Sequence, residues 1–165
     1  MEFEFSTEER EFIRQVDQFL KENESRDVMD VSRENMAQVC DTPERRAFMK
    51  KIAERGWLGI TWPREHGGQD GSGIYEYLLN EMLSAVGAPG IGKGVGIVGK
   101  TLINVGSEKL KQEFLPKILN AEIEFAVGYS EPGAGSDSAA MRLKAERSGE
   151  GWVLSGQKIF TTSAH

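Results

Sequence analysis

Apolar residues recur at helical spacing from the start of the chain. Phe12, Ile13, Val16, Phe19 and Leu20 form one stripe on an otherwise charged segment, as in an amphipathic helix with one buried face. Ser6-Thr7-Glu8-Glu9 just ahead of it has the form of a capping box. In that motif the serine hydroxyl accepts from the third residue's amide, and the glutamate reaches back to the serine amide. A helix over 7–22 is predicted. Residues 23–41 are polar and mixed, and read as a loop or short helix. Phe48, Met49, Ile52 and Ala53 mark a second helix. Thr42 is its N-cap, Pro43 takes its first position, and Gly56 ends it. An apolar connector (56–63) and a glycine-rich polar loop (64–71) lead to a third stripe. Ile74, Tyr75, Leu78, Leu79, Met82, Leu83 and Val86 compose it, and Gly87-Ala88-Pro89 stops it.

Between 91 and 105, Gly92, Gly94, Gly96 and Gly99 lie among Ile91, Val95, Ile97 and Val98. A dinucleotide fingerprint needs a preceding strand and a later ribose-binding acid, whereas these flanks read as helical. Close helix packing is favoured over phosphate binding, because glycine lets backbones approach. Ser107 caps a further helix with Glu108 in its first turn. Leu110, Phe114, Leu115 and Ile118 give that helix its apolar face, and Pro116 is expected to kink or shorten it. Residues 1–122 therefore read as a bundle of five or so helices.

The period changes at Glu122. Glu124-Phe125-Ala126-Val127-Gly128-Tyr129-Ser130 reads as a strand, followed by a turn of small residues, Glu131 to Asp137. Leu143-Lys144-Ala145-Glu146 and Trp152-Val153-Leu154 read as a hairpin around Ser148-Gly149-Glu150-Gly151. Lys158-Ile159-Phe160-Thr161-Thr162 reads as a last strand, rich in β-branched and aromatic residues. The fold class is α+β: an all-α bundle over 1–122, then the first strands of a β domain over 123–165.

Composition narrows the function. The 165 residues carry 20 Lys and Arg against 26 Asp and Glu, a net charge of -6. That acidity argues against nucleic acid as partner. No apolar run approaches the roughly 20 residues that cross a bilayer, and the first residues lack signal-peptide character. Cys40 is the only cysteine, so no internal disulfide forms. His66 and His165 have no metal-ligand spacing. None of the 19 glycines falls in residues 1–55. In the turn, Gly133, Gly135 and Ser136 would let backbone amides approach an anion, with Ser130 and Ser136 adding hydroxyls. Taken alone, such a turn more often simply reverses the chain.

Order and spacing change that weighting. Tyr129-Ser130-Glu131-Pro132-Gly133-Ala134-Gly135-Ser136-Asp137 resembles the signature turn of acyl-CoA dehydrogenases. Leu154-Ser155-Gly156-Gln157-Lys158-Ile159-Phe160-Thr161-Thr162 resembles the family's second flavin-contacting strand. Gly56-Trp57-Leu58-Gly59, Trp62-Pro63-Arg64-Glu65-His66-Gly67-Gly68, and Gly106-Ser107-Glu108 with Phe114-Leu115-Pro116 follow the family's order upstream. The resemblance implies the family's N-terminal α-domain and the start of its middle β-barrel or sandwich domain, with the C-terminal helical domain absent.

It further implies tightly bound FAD and oxidation of an acyl-CoA thioester to the trans-2-enoyl-CoA. Carried over by position, Ser130 faces the flavin pyrimidine edge. Gly135 and Ser136 meet the FAD pyrophosphate, and Ser136 also meets the substrate's CoA portion. Phe160 packs on the isoalloxazine, where many members have Trp. Thr162 offers its hydroxyl near N5, beside Thr161, and Val127, Gly128 and Tyr129 form the adjoining wall. Tyr129 departs from the family's small or β-branched residue, and would narrow the acyl tunnel or meet a partner subunit. The family's catalytic glutamate belongs to the C-terminal domain, so no catalytic residue is expected here, and the isolated chain is expected to be inactive. Implied partners are an acyl-CoA substrate, electron-transfer flavoprotein as electron acceptor, and further subunits in a homo- or hetero-oligomer. The implied compartment is the cytoplasm, or the mitochondrial matrix in a eukaryote. Two alternatives stand: an acyl-CoA oxidase or flavin monooxygenase of the same fold, and a non-catalytic subunit that completes another chain's flavin site.

Overall fold

Helix α1 (Thr7–Glu22) forms where the capping box predicts it. Ser6 Oγ accepts from the Glu9 amide at 3.1 Å, and Glu9 Oε2 accepts from the Ser6 amide at 2.6 Å. Its stripe buries Val16, Phe19 and Leu20. Phe12 and Phe19 stand edge-on to Trp57, with centroids 5.7 and 5.2 Å apart, and Phe12 meets Tyr75 at 5.1 Å. Each such pair contributes about 0.5–1.5 kcal/mol beyond its buried area. Helix α2 (Pro43–Glu54) starts on Thr42, whose hydroxyl accepts from the Arg45 amide at 3.2 Å, and it buries Phe48, Met49 and Ile52. Gly56 follows with a left-handed φ of 71°, as a helix stop favours. Helix α3 (Gly73–Ala85) buries Leu78, Leu79 and Leu83 and packs on α1.

This computed structural model describes residues 4–32 and 40–164. Residues 23–32 form turns without a helix. The rest of the loop-or-short-helix reading falls partly on 33–39, outside the described residues, as does His165. Two compact units result, Met1–Glu124 and Phe125–His165.

The glycine-rich stretch in the first unit is helical, with a wide turn. Gly94–Gly99 forms a π-helix that continues as α4 (Lys100–Val105). Close packing accounts for Gly99, where a Cβ would lie 2.0 Å from the Trp62 ring. It does not account for Gly92 or Gly96, where a Cβ would meet nothing within 4 Å. Trp62 is fully buried, and its indole donates to the Val95 carbonyl at 3.3 Å. Helix α5 (Glu108–Leu119) is capped by Ser107 and runs on through Pro116. The expected shortening does not occur. Leu115 and Ile118 are buried on either side of the proline, and Leu119 packs against Gly59 and Gly67. That burial holds the last turn despite one missing amide.

In the second unit, β1 (Lys144–Ser148) and β2 (Gly151–Ser155) form an antiparallel hairpin, from Lys144 opposite Ser155 to Ser148 opposite Gly151. Every residue of both strands is exposed. The other two predicted strands are not formed. Residues 124–130 and 158–162 meet in one bridge, where Val127 and Thr162 exchange hydrogen bonds of 3.0 and 3.1 Å. The cause is local. Phe160 and Ser163 have φ of 51° and 64°, in the left-handed region that a continuous β ladder cannot hold.

Candidate functional site

The predicted flavin-facing residues lie on two segments of the second unit, and an interrupted antiparallel ladder brings those segments together. Val127 pairs with Thr162. Three residues further on, the Ile159 amide donates to the Ser130 carbonyl at 2.9 Å. The two contacts are three residues apart, an odd step that a regular antiparallel ladder does not take because its hydrogen-bonded pairs recur every second residue, and the left-handed Phe160 lies between them. A Cβ on Gly128 would sit 3.4 Å from the Thr161 side chain and 3.6 Å from the Lys158 Cβ, so the phase shift brings both to its face. Val127, Gly128, Ser130 and Thr162 are half-buried, while Tyr129, Phe160 and Thr161 are exposed. Phe160 is 87% exposed on a left-handed backbone, a costly placement for a large aromatic side chain.

Gly135 and Ser136 are outside this ladder, on the loop that follows a tight reversal. The Glu131 amide donates to the Ala134 carbonyl at 2.8 Å, and the Ala134 amide returns to the Glu131 carbonyl at 3.1 Å. Both glycines of the loop are unconstrained by the chain itself. At Gly133 and at Gly135 a Cβ would meet nothing within 4 Å, and neither has a positive φ. Neither packing nor backbone strain within this chain requires glycine at these two places. Their bare backbone faces open space, as a close-approaching anionic group would need. The Glu131 and Ala134 amides are bonded to each other's carbonyls, and Pro132 lacks an amide proton. The donors of the kind a phosphate-bearing cofactor takes are therefore the Gly133, Gly135 and Ser136 amides and the Ser130 and Ser136 hydroxyls.

Two residues that sequence reasoning gave no role hold this arrangement. Glu131, expected only as part of a turn, is 7% exposed. Its carboxylate accepts from the Arg142 amide at 2.6 Å, from the Leu143 amide at 3.0 Å, and from Lys158 Nζ at 2.9 Å. The Arg142 amide, the Lys158 ammonium and the Leu143 amide together push its pKa down to about 2. Lys158 also donates to the Tyr129 carbonyl at 2.9 Å and touches Met141 Sδ at 3.4 Å. Both residues stand in the quoted motifs. Only the cross-strand register joins them across 27 positions.

The helical unit has a separate groove of about 750 Å³ beside α5, lined in part by His66, Lys111, Leu115 and Leu119. None of the predicted flavin-facing residues lines it.

Residues 6–122 match the family described as "Acyl-CoA dehydrogenase, N-terminal domain". The chain is 40% identical over 123 residues to acyl-CoA dehydrogenase FadE29 of Mycobacterium tuberculosis, covering 74% of this chain and 32% of that protein. It is 35% identical over 162 residues to the mitochondrial isovaleryl-CoA dehydrogenase of Pongo abelii, covering 96% of this chain and 37% of that one. Among solved structures, the Tcur3481-Tcur3483 steroid ACAD superposes with a TM-score of 0.79 at 34% identity, over 98% of this chain and 41% of that chain. The chain thus spans about a third to two-fifths of the length of these relatives. With its helical unit matched by the family and its second unit extending the likeness through the hairpin, this chain belongs to the acyl-CoA dehydrogenase family, as its N-terminal region.

Proposed function

We propose that this chain is the N-terminal portion of an FAD-dependent acyl-CoA dehydrogenase, which oxidises an acyl-CoA thioester to its trans-2-enoyl-CoA. The observation that carries the reading is the bare turn at Gly133 and Gly135, beside a ladder that aligns Ser130 with Ile159 and Val127 with Thr162. When bound, FAD supplies the hydride acceptor. The chain's own residues would bind and orient. Gly135 and Ser136 would present donors to the pyrophosphate, Ser136 also to the CoA portion. Ser130 would meet the pyrimidine edge, Thr162 and Thr161 the N5 side, and Phe160 the ring face, with Val127, Gly128 and Tyr129 as the wall.

Glu131 is unsuited to remove the substrate's α-proton. A general base works best with a pKa near the working pH, and this carboxylate is held near 2 with three donors on it. The resemblance assigns the base to the family's C-terminal domain, so residues 1–165 alone should have no turnover. Electron-transfer flavoprotein is the proposed electron acceptor, and the working form is an oligomer in the cytoplasm. The relatives' names span isovaleryl and steroid substrates, so CoA thioesters of both kinds are the ones to assay.

The test is direct. The protein as its gene encodes it should purify with FAD, and anaerobic addition of an acyl-CoA should bleach the flavin. Reoxidation by electron-transfer flavoprotein faster than by oxygen separates a dehydrogenase from an oxidase. A preparation that holds no FAD, even when FAD is supplied in excess, overturns the reading.

A further inference from the structure

Glu131 and Lys158 face each other across the two segments, with Lys158 Nζ donating to Glu131 Oε1 at 2.9 Å, just beyond the Ser130–Ile159 contact. The pairing they close is interrupted, because the left-handed Phe160 lies between the Val127–Thr162 bridge and the Ser130–Ile159 contact. A strand pair with few ladder bonds has a poorly fixed register, and a slip of one residue turns every side chain to the other face. Here a slip would exchange the directions of Thr161 and Thr162, and would carry Phe160 away from its place.

We propose that the Lys158–Glu131 pair is a positioning device that pins this register, and that Lys158 is the positioning residue of the flavin-facing surface. The ammonium is suited to the task. It has three protons to give, and two of them go to acceptors on the opposite segment, the Tyr129 carbonyl and Glu131 Oε1. The carboxylate is fixed in turn by the Arg142 and Leu143 amides, so it cannot follow the lysine if the segment slides. The side chain of Glu131 is 7% exposed and that of Lys158 is 26% exposed, so water screens the pair less than it would a surface pair. The pair thereby holds three pieces of chain together: the turn, the approach to β1, and the segment that carries Phe160 and Thr162.

The inference rests on the flavin reading for its consequence, and its test separates the two. Lys158→Met, Lys158→Arg and Glu131→Gln are made in the protein as encoded. Two quantities are read: FAD affinity, and amide exchange at Val127 and Thr162 in the FAD-free protein. Lys158→Met and Glu131→Gln should each weaken FAD binding by about tenfold or more, as loss of a hydrogen bond to a charged group does. They should also deprotect the Val127 and Thr162 amides while the α1 and α3 amides keep theirs. Lys158→Arg, which keeps the charge and the donors, should restore most of both. Variants with wild-type FAD affinity and wild-type protection overturn the inference. A wild-type protein that binds no FAD overturns the functional reading instead, and the exchange measurement still decides whether the pair pins the register.

Discussion

Glu131 shows how far one side chain's surroundings can set its chemistry. Its carboxyl is held near pH 2, against an ordinary value of 4.5, by two amides and an ammonium. A depressed pKa stabilises the fold only where the unfolded carboxyl is also ionised. The contribution is therefore complete above about pH 4.5 and is lost as the pH falls towards 2. Order at 125–143 should decline across that window when followed by amide resonances, and Glu131→Gln should flatten the decline. Cys40 is the opposite case. Burial, and then the nearby Glu124, push its thiol up to about 12 from 9. The folded unit favours the neutral thiol, so stability present below pH 9 is lost as the pH rises through 12. Since the thiolate is the nucleophile, iodoacetamide at pH 8 should label Cys40 far more slowly in the folded chain than in denaturant. Equal rates would contradict its burial.

At the level of elements, the parts legible in the sequence were those made by near neighbours. The α1 capping box, the Thr42 and Ser107 caps and the Gly56 stop all depend on residues within one turn, and each stands where expected. The hairpin turn at Gly149-Glu150 is equally local. Of the misreadings, one involved distant partners and one the local backbone. Pro116 does not end α5, because Leu115, Ile118 and Leu119 are held by tertiary packing that no local rule contains. The strands read at 124–130 and 158–162 have the right composition, yet Phe160 and Ser163 leave the β region. The residues proposed to face the flavin are legible only through the family's motifs, and the Glu131–Lys158 pair is invisible until the two segments are brought together. In the helical core, Gly99→Ala would drive a methyl into the Trp62 ring. Overpacking of this kind costs about 1–3 kcal/mol, which a denaturant midpoint would measure. Gly96→Ala, with open space around its Cβ, should cost no more than its neighbours' exposed substitutions do.

For the molecule as a whole, the two units differ in how much they bury. The helical unit encloses Val16, Ile52, Trp62, Leu79 and Leu83 with essentially no exposure. Among the described residues of the second unit, only Glu131 and Ala134 are buried. Local stability follows buried contacts. Amides of 125–164 should therefore exchange orders of magnitude faster than those of α1 and α3 in the isolated chain. Uniform protection across both units would refute that ordering. On the proposed reading, the resemblance assigns the base to the C-terminal domain, so the same isolated chain should show no acyl-CoA turnover.

The hairpin strand β2 carries Trp152 at 65% exposure, while Trp57 and Trp62 are 6% and 0% exposed. These are the chain's three tryptophans, so its intrinsic fluorescence divides by unit. Iodide should quench the red-shifted emission of Trp152 and leave the bluer emission of the helical pair intact. Any surface that comes to cover the hairpin, whether more of the same polypeptide or another subunit, will then announce itself as a blue shift and a loss of quenching in that one component. The protein carries an optical gauge of its own assembly, and needs no added label to read it.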